Sequence, residues 1–345
     1  MIRVLNRRSR VFLKLELLQP SGSFKSRGIG HYLLCRLSEH PSPNKVHFYA
    51  SSGGNAGLAC VTAAVTLGRP ATVVCPTTTS PHMLAKLRAA GAADVIVHGD
   101  DLASAGEYLQ NHILPRDAAN GVYVPPFDHP DIWAGNGSVV HEVAAQLAER
   151  GEGGGRGAPP AAVVCSVGGG GLLNGVCAAM DAVGWGKECA VLAMETRGTD
   201  SLAKALEAGE LVALSEIGSE ARSLGARRVS EETFRLARDP RRDVRSVVLE
   251  DREAAMGCWR LADDERLMVE LACGVNVALC YDQARLERAV GKKLTRESKV
   301  VIVLCGGNDV TVEKLHQWRK EFGDVEKEIP HNADVPSEST APGHT

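Results

Sequence analysis

Between residues 46 and 113 the chain repeats one pattern three times, and this pattern limits the fold more than any other feature. Short apolar runs, VHFYA (46–50), ATVVCP (71–76) and DVIVHG (94–99), are followed by longer segments of helical character at 55–67, 80–90 and 102–113. Runs of that length fit buried strands, and the intervening segments fit crossover helices. Such alternation builds a parallel sheet covered by helices on both faces. Pro81 falls in the first turn of the 80–90 helix, where its missing N–H costs nothing. The pattern resumes with AAVVCS (161–166), AVLAMET (190–196) and KVVIVLCGG (299–307). VFLKLELL (11–18) alternates and reads as a strand closed by a turn at Gln19-Pro20, and further helices are expected at 28–38, 252–262 and 276–290.

Three segments read as irregular. VYVPPFDHPDIW (122–133) is rich in proline, GEGGGRGAPP (151–160) has the composition of a flexible surface loop, and the polar end from about Val325 is expected to be disordered. Beyond this alternation of element types, no internal sequence repeat is present. The chain of 345 residues is long enough for one large or two ordinary domains.

Charge and composition exclude several classes. A formal net charge of -3 provides no basic surface for nucleic acid or acidic lipid. There is no run of 18 apolar residues, so no membrane span is expected. The basic start MIRVLNRRSR leads into a stretch that Lys14 and Glu16 interrupt, which is unlike a targeting peptide. The ten cysteines are scattered, several inside apolar runs (Cys75, Cys165, Cys305), and none has zinc-site spacing. They read as buried free thiols in a reducing compartment.

Four motifs carry chemistry. Gly168, Gly169, Gly170 and Gly171 follow a buried strand and open a helix. One or two glycines would serve a tight turn; four in a row favour a backbone cradle for a phosphate at a helix N-terminus. The spacing is not that of a dinucleotide fingerprint, although Glu195 in the next strand's turn leaves a dinucleotide open. SGSFKSRG (21–28) places Lys25 among small residues at a helix start. Most lysines are simply solvated, but one confined by Ser, Gly and Phe can lose its proton and attack a carbonyl, with Phe24 packing beside a flat ring. SSGGNAG (51–57) joins strand to helix, and its N–H groups with Ser51, Ser52 and Asn55 can bind a carboxylate or merely cap the helix. CGGN (305–308) ends a buried strand, where Cys305 either faces a ligand crevice or is a structural thiol. The histidines show no pairing; His31, His129 and His141 read as structural or surface groups.

SGSFKSRG, SSGGNAG, SVGGGGLLNG and CGGN, in this order, resemble the fold-type II pyridoxal-phosphate enzymes, and most closely the eukaryotic L-serine/L-threonine dehydratases. QPSGSFKSRGIG, PPFDHPDIWAGNGS, GWGK, AMETRGTDS and DDERLMVELACG extend the similarity over about residues 11–320, and RSVVLED (245–251) looks like the fungal members. The resemblance implies an α/β fold of two three-layer domains with twisted, mostly parallel sheets, like the tryptophan synthase β chain. It implies a large domain of residues 1–28 and 130–322, a small domain of 29–129 closing over the substrate, and a tail of 323–345. It makes Lys25 the catalytic lysine that carries pyridoxal 5′-phosphate. Phe24, Asn55, Leu172, Cys305, Gly306 and the four glycines 168–171 would complete the cofactor site, with Cys305 facing the pyridine nitrogen. Ser52, Gly53, Gly54, Ala56 and Phe127 would hold the substrate. Gly168, Glu195, Thr199, Leu224 and Ala226 would surround a potassium ion.

The implied reaction removes water and then ammonia from L-serine to give pyruvate, and converts L-threonine to 2-oxobutanoate. The implied state is a cytoplasmic homodimer acting on a small amino acid, without nucleic-acid or membrane partners. The sequence departs from the family at LACGVN (271–276), where PACGAA is usual, and at GNGS (135–138), where GHAS is usual. The Gly53-Gly54 pair matches a variant with a looser carboxylate loop. Family members also carry a further segment with a Thr-Pro-Leu stretch before the first strand. The alternatives are therefore a cofactor-binding homologue impaired by the lack of that segment, or a serine racemase, cysteine synthase or threonine dehydratase. Racemases and many relatives carry Ser in place of Cys305, and too little sequence follows CGGN for a regulatory domain.

Overall fold

The computed structural model describes residues 9–151 and 158–325. Nine strands and twelve α-helices follow in chain order among them: β1 (Arg10–Leu15), α1 (Lys25–Glu39), β2 (His47–Ala50), α2 (Asn55–Thr66), β3 (Ala71–Cys75), α3 (Pro81–Ala89) and β4 (Asp94–Val97). Then come α4 (Leu102–Tyr108), β5 (Gly121–Val124), α5 (Pro130–Glu149), β6 (Ala162–Ser166), α6 (Gly171–Ala182), β7 (Ala190–Thr196) and α7 (Ser201–Ala208). The chain continues through α8 (Glu231–Ala237), β8 (Val244–Leu249), α9 (Asp251–Glu265), α10 (Leu271–Ala278), α11 (Gln283–Val290), β9 (Lys299–Leu304) and α12 (Val312–Phe322).

The strands form two sheets, ordered β1-β9-β6-β7-β8 and β4-β3-β2-β5, and every strand pairing in both is parallel. The five-stranded sheet is buried on both faces, which is why its inner strands are continuous apolar runs. Side chains alternate across it. Val164, Leu192 and Ile302 enter one core with α9 and α10, while Val163, Val191, Val301 and Val303 enter another with α5 and α6. The four-stranded sheet repeats the arrangement, with Phe48 and Val73 on one face and Tyr49 and Val74 on the other. Outer strands β1, β4 and β8 are only partly buried, as expected where one edge lacks a neighbour.

Several elements differ from the sequence expectation. The first strand stops at Leu15 and a short 3-10 turn covers Glu16–Leu18. The segment 122–133 is partly regular: Val122–Val124 pair with Phe48–Ala50, the adjoining prolines follow the strand, and Pro130 opens α5. The helix expected over 276–290 is two helices, because Asp282 accepts a hydrogen bond from Arg285 N at 3.0 Å and caps a new one. Helix α4 ends at Tyr108 and loosens into a π turn over Leu109–Ile113. All ten cysteines are free, nine of them buried. Residues 152–157 of the glycine-rich loop, the first eight residues and the tail from 326 lie outside the described residues.

Candidate active site

Parallel sheets leave a crevice beyond the carboxyl ends of their strands. Here the turns after β1, β6 and β9 meet in it. Phe24 N donates to Cys305 O at 3.1 Å, Gly307 N donates to Gly22 O at 3.0 Å, and Ser23 bridges to Gly306. Backbone bonds thus stitch the segment bearing Lys25 to the segment bearing Cys305, nearly 300 residues later. Asn308 Nδ2 adds a bond to Ser21 O at 2.8 Å.

Lys25 is the first residue of α1. Its ammonium donates to Pro126 O at 2.5 Å and lies 5.3 Å from the centre of the Phe24 ring. Among the described residues it has no carboxylate partner within ion-pair distance. Burial without a counter-charge disfavours the charged form and lowers the amine to about 8 from the ordinary 10.5. Roughly a tenth of the amine is then neutral at pH 7, far more than for an ordinary lysine, which is the direction a nucleophilic or basic lysine needs.

The glycine loop follows β6. Gly170, with φ +93°, sits where L side chains are strained, and a Cβ there would strike Thr233. Gly169 lies against the Phe127 ring, Gly171 against Phe127 O, and Gly168 against the Leu224 backbone. The loop is therefore packed from outside, while the first N–H groups of α6, including that of Leu172, have no intrahelical acceptor. Asn136, one of the two departures within GNGS, is buried and donates from Nδ2 to Gly171 O at 3.0 Å, tying α5 to this loop. A groove of about 550 Å³ lies beside it, lined by Phe127, Asp128 and Trp133 on one side and Arg228 to Glu232 on the other.

Cys305 directly follows β9, with its Sγ 3.3 Å from Ser166 Oγ and 3.8 Å from Ala272 O. Asn276, one of the departures in LACGVN, lies in the second turn of α10 and is fully buried; its Nδ2 donates to Val303 O at 3.1 Å and lies 4.0 Å from the Cys305 Sγ.

The 51–57 loop reaches across from the smaller sheet. Ser52 Oγ accepts from Gly54 N at 3.3 Å, Gly53 abuts Thr79, and Ala56 is buried at the start of α2. Asn55 donates to the Glu270 carboxylate at 3.0 Å and accepts from Asn308 N at 3.1 Å and Asn308 Nδ2 at 2.9 Å. Glu270 also accepts from Asn308 N at 2.6 Å, Asp309 N at 2.8 Å and the Ser223 hydroxyl. Sequence reasoning missed Glu270, although it lies within the DDERLMVELACG block. A glutamate before a helix looks like an ordinary cap, and only the fold brings it to Asn55.

The five candidate cation ligands are placed as follows. Glu195 accepts from Leu202 N at 2.7 Å and Ala203 N at 2.9 Å, and burial raises its carboxyl to about 8. Thr199 Oγ1 donates to Thr196 O at 3.1 Å, and Leu224 O accepts from Ala226 N at 2.7 Å. Gly168 is the member in contact with Leu224: a Cβ there would lie 3.1 Å from the Leu224 Cα. Among the described residues no group of three or more His, Cys, Asp or Glu is arranged to hold a metal.

An enclosed lysine with a lowered pKa and a glycine-rich turn at a helix start suit a phosphorylated carbonyl cofactor. Residues 3–306 match the family model for pyridoxal-phosphate-dependent enzymes, and the chain belongs to that family. Within it, the chain is 39% identical over 310 residues to an L-serine dehydratase of Saccharomyces cerevisiae, covering 88% of this chain and 90% of that protein. It is 42% identical over 315 residues to a protein of Mus musculus named serine dehydratase-like, covering 91% and 89%. The fold is similar to that of a fungal L-serine ammonia-lyase from Rhizomucor miehei, with a TM-score of 0.80, 33% identity and coverage of 90% and 93%.

Proposed function

We propose that this enzyme deaminates L-serine to pyruvate and ammonia by β-elimination, with Lys25 as its catalytic base. The observation that carries this is the enclosed Lys25 amine, lowered to about 8 and stitched through Phe24 to Cys305. The residues present fit pyridoxal phosphate. Lys25 would hold its carbonyl carbon, the N–H groups of Gly168 to Leu172 its phosphate, Asn55 its ring oxygen, and Phe24, Cys305 and Gly306 its ring. When bound, the cofactor supplies an electron sink for the pair left by α-proton loss.

The protein's own residues do the rest. The N–H groups of Ser52, Gly53, Gly54 and Ala56 take the substrate carboxylate, and Phe127 closes the pocket beside Gly169. Lys25 Nζ, once neutral, accepts the α-proton. Cys305 offers a sulfur and not a carboxylate to the ring, so no carboxylate there would hold a proton on the ring nitrogen. That suits prompt loss of the β-hydroxyl over a long-lived carbanion. The same pocket would take L-threonine to 2-oxobutanoate. The 29–129 segment, which carries the smaller sheet, is proposed to close over the substrate as a small domain, on a large domain of 1–28 and 130–322.

A potassium ion near the cradle belongs to the same proposal. It is supported by the contact of Gly168 with Leu224 and by Glu195, a buried carboxyl with no cationic partner among the described residues. A cytoplasmic homodimer is also proposed; free thiols fit a reducing compartment, and no described helix is long and apolar enough to cross a membrane. Release of pyruvate from L-serine tests the function. The wild type should turn over L-serine, and Lys25→Ala should lose about 10³-fold or more of kcat. Pyruvate release by Lys25→Ala at the wild-type rate would overturn the assignment.

A further inference from the structure

The loop proposed to take the substrate carboxylate is held from a direction that its own sequence does not reveal. An added Cβ at Gly53 would lie 2.9 Å from Thr79 Cβ and 2.5 Å from Thr79 Cγ2, with Thr79 Oγ1 nearer still. Real Cβ atoms do not approach side chains that closely. Thr79 is short, so no rotation about its Cα–Cβ bond can clear its own Cβ from that space. It stands in the turn after β3, its N–H bonded to Pro76 O at 3.0 Å.

The wall it forms is anchored. The next residue, Ser80, caps α3 and donates to Asp309 Oδ1 at 3.1 Å. His82 Nε2 lies 3.1 Å from Asn308 O, and Lys86 Nζ donates to the same carbonyl at 3.1 Å. Residues 308 and 309 are in turn fixed by Glu270, which also holds Asn55. Both ends of the 53–55 stretch are thus tied to one rigid frame: Asn55 directly, and Gly53 through contact with Thr79.

We infer that Thr79 is a positioning residue for the carboxylate loop, setting through Gly53 the path of the backbone N–H groups that meet the substrate. The inference rests on the proposed role of residues 52–56. It requires the two positions to be coupled: a methyl at 53 is harmful only while Thr79 fills the space.

A double-mutant cycle on the holoenzyme tests it, using wild type, Gly53→Ala, Thr79→Ala and the double variant. The KM for L-serine should rise about tenfold in Gly53→Ala and about threefold in Thr79→Ala, with kcat changed less than KM. The double variant should return to within about threefold of wild type, because Thr79→Ala removes Oγ1 and Cγ2, the two nearest atoms, and leaves only the Cβ contact at 2.9 Å, which a small shift of the turn relieves. Cofactor absorbance should be the same in all four proteins. A KM for Gly53→Ala equal to that of wild type, or single effects that simply multiply in the double variant, would overturn the inference. Absence of L-serine turnover in the wild type would instead remove the functional proposal. The same cycle read on unfolding midpoints then decides: Thr79→Ala relieving the destabilisation of Gly53→Ala supports the coupled pair, and additive midpoints end it.

Discussion

At the scale of single residues, the chemistry turns on how the fold treats one amine. Lys25 is lowered to about 8 because burial strips water from its ammonium and no carboxylate compensates. Only the neutral amine attacks a carbonyl. The rate at which apoenzyme takes up pyridoxal phosphate should therefore rise with pH and be half-maximal near 8, where an ordinary lysine would reach that point near 10.5. Stopped-flow absorbance across pH 6 to 10 checks this, once corrected for ionisation of the cofactor itself. The lysine was legible in the sequence only through its small neighbours. Its partner Pro126 lies 101 residues away and could not be read there. Glu270 was illegible for the same reason, since the four groups that donate to its carboxylate come from three separate segments.

At the scale of elements, the link between β6 and α6 is the most demanding. Gly170 combines a left-handed backbone with contact against Thr233, so Gly170→Ala meets both strain and a clash. The expected result is a loss of about 1–3 kcal/mol in stability together with weaker cofactor retention. Chemical denaturation of the apoenzyme measures the first, and equilibrium dialysis of pyridoxal phosphate the second. The four glycines stood out in the sequence because their number exceeds what a turn needs, and the fold packs them against Phe127, Leu224 and Thr233. The proline-rich 122–133 segment misled because proline forbids the interior of a regular element but tolerates its ends. β5 stops before Pro125, and α5 starts on Pro130.

At the scale of the whole molecule, the two sheets are joined by charge as well as by apolar packing. Arg27 in α1 donates to Glu16 at 2.6 and 2.8 Å and to Glu142 in α5 at 2.6 and 2.8 Å. The side chains of Arg27 and Glu16 are only 7% and 1% exposed. Removing one member of such a pair leaves the other charge buried and uncompensated. Arg27→Met should therefore cost about 3–5 kcal/mol, and Glu16→Gln in the same background should recover part of it. Urea unfolding of the three proteins tests this, and additive losses would show that the pair is not coupled.

Sequence alone determined the alternation of strands and helices, the parallel sheets and the four motifs, because these depend on side-chain periodicity and on local backbone freedom. Both are short-range properties. Tertiary structure decided which motifs share a crevice, how far the Lys25 amine is cut off from water, and that Thr79 and Glu270 brace the loop from 53 to 55. Those depend on contacts between residues tens to hundreds of positions apart, and desolvation in particular is a property of everything that surrounds a group. A lysine's neighbours in the chain say where it can sit; the packed molecule sets how readily it keeps its proton.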